Sequence, residues 1–393
     1  MVASLGPDPV GPMRIAHVTD FYLPRLGGIE MHVSDLAARQ HALGHEVTVV
    51  TSSPSDGRPD PTDGPAVRRM TDHLRHPRAI HPAALGAGAR AVREGDYDVV
   101  HVHAGTATPL AFWVALQCAR SGIPVVVTVH SLWAWAHPIF WVLDRVAGFS
   151  RRPIQWTAVS GIAAAQVQRV LGDRSPVSVL PNGIDPERWD VEPAAREPDE
   201  VLLVGVMRLA VRKRPKHLLA MLRATRAAVP AHIGLRAVIV GEGPARAALE
   251  RYLRRHRMAD WVLLPGRQDR TEIRELYRRA DVFVAPADLE SFGIAALEAR
   301  CAGVPVVAKA GNGIADFVRD GRDGLLVADD DAMTAALIRL CTQPLLRRAL
   351  AGHAEGRTSP VSWTSTLALT DDAYRAAAAL TGRDLELPVD VAS

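Results

Sequence analysis

Cysteine is nearly absent from this chain: Cys118, Cys301 and Cys341 lie far apart among 393 residues. No Cys-x-x-Cys pair occurs, which excludes a zinc ribbon or a disulfide framework and fits a reducing compartment. Lysine is almost as scarce, with Lys213, Lys216 and Lys309 the three lysines among 46 basic residues. The net charge of +3 is close to balance, so wholesale polyanion binding is not implied. Aromatic residues make up only 5%, which argues against a base-stacking surface and against nucleic acid as a partner. No run of 18 apolar residues appears, so no membrane-spanning helix is expected. Residues 1–12 carry neither a basic region nor an apolar run, and they read as a disordered leader rather than a signal peptide. The expected location is the cytoplasm.

What the chain has is alternation. Short β-branched runs recur between longer amphipathic stretches, the pattern of β-α units and parallel sheets. In the first half the strands read RIAHV (14–18), EVTVVT (46–51), DVVHV (98–102), PVVVTV (124–129), WTAV (156–159) and VSVL (177–180). The proline-rich stretch 53–65 reads as a loop. In the second half they read VLLVG (201–205), LRAVIVG (235–241), WVLLPG (261–266), DVFVAP (281–286), PVVA (305–308) and GLLV (324–327). Between the halves Pro181, Pro186, Pro193 and Pro198 mark a semi-rigid linker. The expected architecture is α/β: two Rossmann-like, doubly wound domains facing across a cleft. Their spans are 13–185 and 200–360, joined by a hinge at 186–199, with a helical tail at 361–393. Open parallel sheets bind ligands at the carboxyl ends of their strands, so functional residues should follow strands.

Four places meet that condition. Gly27-Gly28 stands between the first strand and the first helix, where glycines let a phosphate approach free helix N–H groups. Arg208, Arg212, Lys213, Arg214 and Lys216 follow a strand and have the chemistry of an anion clamp, although most charge runs are only solvated faces. The segment DLESFGIAALEA places Glu290 in a loop after a strand, with a helix starting near Phe292. Gly293 and Ile294 would then offer first-turn N–H groups, and Glu298 would lie about one turn further on. His130 ends the strand 124–129, as a cleft residue or equally as a satisfied, capped histidine. His101 and His103 have the spacing of a metal pair but show no third ligand in the nearby sequence. Asp329-Asp330-Asp331 reads as a helix N-cap rather than a metal triplet.

Taken together, ESFGIAALEA, FYLPRLGGIEMHV, DVVHVHAG, VVVTVHS, VSVLPNGID, VGVMRLAVRKRP, IVGEGPAR and FVRDGRDGLLV resemble the retaining glycosyltransferases of family 4, which have the GT-B fold. The resemblance runs from about Met13 to Val327. It implies a hexosyltransferase that moves a sugar from a nucleotide-diphospho donor to an acceptor hydroxyl, with retention, no cofactor and no bound metal. It further implies that Arg208 and Lys213 hold the donor diphosphate, Glu298 the ribose, and Glu290 and His130 the donor sugar. Gly293 and Ile294 would offer amides to the sugar and phosphate, Gly27 and Gly28 the loop at the diphosphate, and Gly266 and Arg267 the nucleobase site. The last helix would cross back onto the first domain. One departure stands out: the family often has glycine after the lysine, where this chain has Arg214 and Pro215.

The acceptor (small molecule, glycan or lipid-linked) is not named by these motifs. Trp133, Trp135, Trp141 and Trp156, beside Phe140, Phe149, Arg145, Arg151 and Arg152, would suit peripheral membrane contact or an acceptor platform. Ordinary packing of a helix on the sheet is the plainer expectation for so many aromatics. A nucleotide-sugar epimerase or hydrolase, or a non-catalytic nucleotide-binding protein of the same fold, remains an alternative. A nicotinamide-dependent oxidoreductase is disfavoured, since DFYLPRLGG stands where G-x-G-x-x-G is required.

Overall fold

The computed structural model describes residues 12–25, 27–60, 62–72, 81–194, 199–354 and 361–385. The leader expected over 1–12 falls almost wholly outside them, as do four residues of the linker at 195–198. The chain divides into two units, the first comprising Met1–Gly183 with Thr364–Ser393 and the second Ile184–Trp363.

In the first unit the order is β1 (Arg14–Thr19), α1 (Gly28–Ala42), β2 (Glu46–Thr51), β3 (Ala66–Arg69), α2 (Pro82–Glu94), β4 (Val99–Ala104) and α3 (Pro109–Arg120). Then come β5 (Val125–Val129), α4 (His137–Ala147), β6 (Gln155–Ala158), α5 (Gly161–Leu171) and β7 (Val177–Val179). All seven strands are parallel, in the order β3-β2-β1-β4-β5-β6-β7. β4 and β5 are buried along their whole length, which is why they read as unbroken apolar runs. β3 is the strand that the apolar pattern did not reveal. Its sequence AVRR is half-exposed at the sheet edge, where pairing with β2 rather than burial defines it.

The second unit runs α6 (Pro186–Trp189), β8 (Glu200–Val206), α7 (Pro215–Ala228), β9 (Gly234–Val240), α8 (Arg246–Arg255), β10 (Val262–Gly266) and α9 (Arg270–Arg279). It continues with β11 (Val282–Ala285), α10 (Ile294–Cys301), β12 (Val306–Lys309), β13 (Gly324–Val327), α11 (Asp330–Thr342) and α12 (Pro344–Ala354). Its six parallel strands take the order β10-β9-β8-β11-β12-β13, the 3-2-1-4-5-6 order of a Rossmann sheet. Leu203, Leu218, Leu222, Ile239, Leu249, Val284 and Leu337 form its core between sheet and helices. The strand order reverses between β8 and β11, and that switch point is where such sheets open a crevice.

A final helix, α13 (Trp363–Leu380), packs into the first unit. Ala373, Tyr374 and Ala377 join Met13, Ile15, Tyr22, Val33 and Val49 in one apolar cluster. The C-terminal segment is therefore part of the first unit's core.

Candidate active site

The loops that leave β8 and β11 carry the second unit's unusual residues. After β8 the chain makes a short 3-10 turn over Val211–Lys213, and after β11 a loop leads to α10. These loops bring Lys213 and Glu290 together as an ion pair between Nζ and Oε2, both side chains largely buried. A carboxylate and an ammonium 77 positions apart in sequence thus neutralise each other at the switch point. Arg208, five residues before Lys213, has its side chain exposed and makes no ion pair among the described residues. The backbone carbonyl of Glu290 accepts from Gly313 N–H at 2.8 Å, which ties the loop after β11 to the one after β12.

Gly293 is the N-cap of α10, not a first-turn residue, and the helix starts two residues later than the sequence suggested. Its φ of 92° lies in the left-handed region, and an added Cβ would come within 2.6 Å of Ile314 Cγ1. Ile294 therefore opens the helix, with its amide among the free N–H groups of the first turn. Glu298 is half-buried in the second turn, close enough to Tyr277 for its charge to help raise that phenol, although burial is the main cause. Gly266, at the end of β10, has φ of 89° and accepts from Gly241 N–H at 2.8 Å, while Arg267 beyond it is exposed. Next to it Gln268 buries its Oε1 without a hydrogen-bond partner among the described residues, a polar atom that sequence reasoning passed over.

Arg214 resolves the departure noted in the lysine segment. It occupies the left-handed region at φ 56° and caps α7, a conformation that costs glycine nothing. Its guanidinium makes a bidentate pair with Asp330 at 2.8 and 2.7 Å and reaches Asp288 at 2.9 Å and the Pro286 carbonyl at 3.2 Å. Lys309 meets the same Asp330 at 2.7 Å. The Arg214 hydrogen bond first, and Lys309 second, hold the Asp330 carboxyl down at about 2. Asp329 is the N-cap of α11, accepting from Ala332 N–H at 2.8 Å, whereas Asp330 is an ion-pair hub that spacing alone did not reveal.

In the first unit, Gly27 caps α1 with extended backbone, and an added Cβ would strike the Glu30 carboxylate. Glu30 is buried and pairs with Arg25 at 3.0 Å. His130 is buried at the end of β5, and its ring joins a polar cluster on one face of the sheet. His17 Nδ1 lies 2.9 Å from His103 Nε2, and His103 Nδ1 lies 3.1 Å from His130 Nε2. The third histidine missing from the local sequence is His17, which β1 brings level with His101 across the strand pairing. His17, His101 and His103 offer ring nitrogens within 4.8 Å of one another. Burial pushes His17 down to about 4 and His130 to about 3 from the ordinary 6.5, and holds His32, His101 and His103 well below it too.

The aromatic region divides. Trp133, Phe140, Phe149 and Trp156 are core, with Trp133 stacked on Phe140 at 3.9 Å between ring centroids. Trp135, Ile139, Trp141, Val142, Leu143 and Val146 are exposed on or just before α4, Trp135 at 62% and Val146 at 82%. The one acid of that helix, Asp144, is buried and accepts from Ser150 N–H and Oγ at 2.7 and 2.9 Å. The packing expectation thus holds for half of the region only.

Family models match along most of the chain. Residues 26–188 match the model described as Glycosyltransferase Family 4, and residues 187–357 the one described as Glycosyl transferases group 1. The chain belongs to the family 4, group 1 glycosyltransferases. The enzyme is 32% identical to a D-inositol 3-phosphate glycosyltransferase of Frankia alni over 389 residues, covering 86% of this chain and 92% of that one. It is 29% identical to a glycogen synthase of Mycobacterium tuberculosis over 407 residues, covering 93% and 95%. Among solved structures, sucrose-phosphate synthase of Thermosynechococcus elongatus superposes with a TM-score of 0.76 at 21% identity, covering 92% of this glycosyltransferase and 98% of that chain. Anabaena HepE, solved with UDP and glucose, gives 0.73 at 16% identity and covers 92% and 98%. Both are two-domain GT-B structures of the kind formed by these parallel sheets of seven and six strands.

Proposed function

We propose that this glycosyltransferase moves a hexosyl group from a nucleotide-diphospho-sugar to an acceptor hydroxyl, retaining anomeric configuration and needing no metal. The observation that carries the reading is the Lys213–Glu290 pair at the switch point of the second sheet, with exposed Arg208 five residues before Lys213. As the donor's leaving group departs, negative charge builds on the diphosphate and the sugar gains oxocarbenium character. Arg208 and Lys213 are the groups that meet the first, supplying the positive charge that a divalent ion supplies in other transferases. On donor binding the diphosphate takes Lys213 from Glu290, whose freed carboxylate then accepts from sugar hydroxyls. The amides of Gly293 and Ile294 face the phosphate, Glu298 the ribose diol, and Gly266, Arg267 and the buried Gln268 oxygen the base. In the first unit the Gly27–Gly28 turn and His130 are proposed as donor contacts on their motif match alone. The departing phosphate oxygen can take the acceptor's proton on the same face, so no separate carboxylate base is required. The solved HepE complexes contain UDP, and a relative in Mycolicibacterium smegmatis is named a GDP-mannose-dependent mannosyltransferase, which makes UDP- and GDP-sugars the first donors to try.

The test is transfer from UDP-, GDP- and ADP-sugars to a panel of inositol, glycan and lipid-linked acceptors, with EDTA, the anomeric product read by NMR. Lys213→Ala should cut turnover by roughly 10²–10³, the usual loss for one group stabilising developing charge. Turnover within threefold of the parent would remove Lys213 from the chemistry. Free sugar formed from donor alone, with no acceptor product, would favour the hydrolase alternative.

We also infer peripheral contact with an anionic lipid surface through α4. It exposes five large apolar side chains, with Trp135 just before it a sixth, and no exposed acid; Arg145 covers the Trp141 ring at 4.6 Å, and Arg151 is exposed a few residues on. That composition suits a helix lying in a membrane interface. Among the described residues no helix is long and apolar enough to cross a membrane. Vesicles of phosphatidylglycerol should sediment the enzyme at low salt, and Trp135→Ser with Val146→Ser should abolish this without changing thermal stability. Failure to sediment at low salt sinks the assignment.

A further inference from the structure

Four of the first unit's buried histidines, His17, His101, His103 and His130, lie on a single chain of hydrogen bonds, and its direction is readable. Thr157 Oγ1 donates to the Val127 carbonyl at 3.4 Å, and a carbonyl can only accept. Thr128, 2.6 Å away, must then donate to Thr157, and must itself accept from His101 Nε2–H at 2.7 Å. A neutral imidazole has one N–H, so His101 Nδ1 accepts, taking the Tyr374 hydroxyl hydrogen at 3.1 Å. Tyr374 oxygen accepts from the Gln40 amide nitrogen at 3.0 Å, which turns the Gln40 carbonyl oxygen toward His17 Nε2–H at 2.6 Å. His17 Nδ1 therefore accepts from His103 Nε2–H, and His103 Nδ1 accepts from His130 Nε2–H. A neutral ring carries one N–H, so the His17–His103 and His103–His130 links must run in the same direction, and burial favours the neutral form of each ring.

We propose that Tyr374 and Gln40 are positioning residues that hold the His130 ring in one orientation and in its Nε2–H tautomer, so that docking of α13 is wired to a residue of the donor site. Neither residue touches substrate in this account; each acts through His17 and His103. The kinetic part rests on the donor-site role assigned to His130, whereas the tautomer part does not. A metal held by His17, His101 and His103 is the competing use of these rings. It fits less well, because His17 Nδ1 and His103 Nε2 are 2.9 Å apart, closer than the about 3.3 Å that two nitrogens on a tetrahedral zinc require.

The experiment is a long-range proton–nitrogen NMR spectrum of full-length enzyme labelled with 15N-histidine, with the His130 signals identified from the His130→Ala spectrum. The wild-type enzyme should show His17, His103 and His130 protonated at Nε2, unchanged by EDTA or by added zinc. Tyr374→Phe keeps the ring and the helix packing but removes the hydroxyl. It should leave Gln40 free to turn, mix the Nδ1–H form into His130, and lower kcat roughly tenfold, the rate equivalent of one lost hydrogen bond. Donor KM should stay within about twofold, because the loss falls on the transition state. Gln40→Leu cuts the chain nearer to His130 and should give the same signature. Unchanged tautomers in both variants, or ring signals that move with zinc, overturn the proposal. Changed tautomers with unchanged kcat overturn its kinetic part. Normal turnover in His130→Ala would trace that failure to the donor-site role of His130 rather than to the chain.

Discussion

Arg214 shows how one residue can look wrong in sequence and be right in structure. The position demands a positive φ, which glycine supplies freely and arginine adopts at a cost of about 1–2 kcal/mol. The bidentate pair with Asp330 and the contacts to Asp288 and Pro286 offset that cost. Two substitutions separate the terms. Arg214→Ala loses the ion pairs and keeps the strain, and should destabilise the second unit by about 2 kcal/mol. Arg214→Gly loses the same pairs but removes the strain, and should come out about 1 kcal/mol more stable than the alanine variant. Urea unfolding followed by circular dichroism reads that order. Alanine equal to or better than glycine would mean the backbone there is not strained. The sequence could flag this position because one residue broke a pattern. It could not name the partners, since Asp288 and Asp330 lie 74 and 116 positions away.

At the scale of elements, twelve of the thirteen strands among the described residues were legible, most of them because a buried parallel strand must be apolar along its whole length, while the more exposed β7 and β10 still carried short apolar runs. β3 escaped because edge pairing needs no apolar run, and the fate of the tryptophans escaped because composition does not say which side of a helix meets the core. The histidine layer escaped for a different reason: His17, His101, Thr128 and Thr157 come from four strands, and only the register of β1, β4, β5 and β6 lines them up. That layer makes the first unit acid-sensitive. For each of its five rings the folded pKa lies below the ordinary 6.5, so its contribution is present above pH 6.5 and is lost as the pH falls toward the folded value. Asp20 works the other way. Burial raises it to about 7 against the two α3 amides that hold it charged, so its contribution grows as the pH falls. Five rings outnumber the one carboxyl, so the balance is a loss of stability as the pH falls below 6.5. The first unit should therefore lose its near-ultraviolet circular dichroism between pH 6.5 and about 4. A native spectrum at pH 4 would show that the rings accept charge where they are.

At the scale of the whole molecule, two sheets of the same Rossmann kind divide the work unevenly. The first unit gathers a buried histidine layer, an exposed apolar helix and the C-terminal helix; the second carries Arg208 and Lys213, the cations proposed to meet the diphosphate. Arg208, Lys213, Glu290, Gly293 and Glu298 all lie within Ile184–Trp363, so a nucleotide diphosphate should stabilise that unit before it affects the other. Ligand at a hundred times its Kd stabilises the state that binds it by about 2.7 kcal/mol, which for a unit of this size raises Tm by roughly 5–10 °C. Calorimetry with UDP, GDP and ADP in turn should show one of them lifting the second unit's transition. EDTA should leave that lift unchanged, because fixed arginine and lysine provide the counter-charge. Lys213→Ala should abolish most of the lift, read against the variant's own unliganded transition, since removing Lys213 leaves the largely buried Glu290 carboxylate without its partner. If EDTA erases the lift, the diphosphate is held through a divalent ion and the metal-independent reading falls. If the lift survives Lys213→Ala intact, the nucleotide is held elsewhere, and the pair at the switch point is structural.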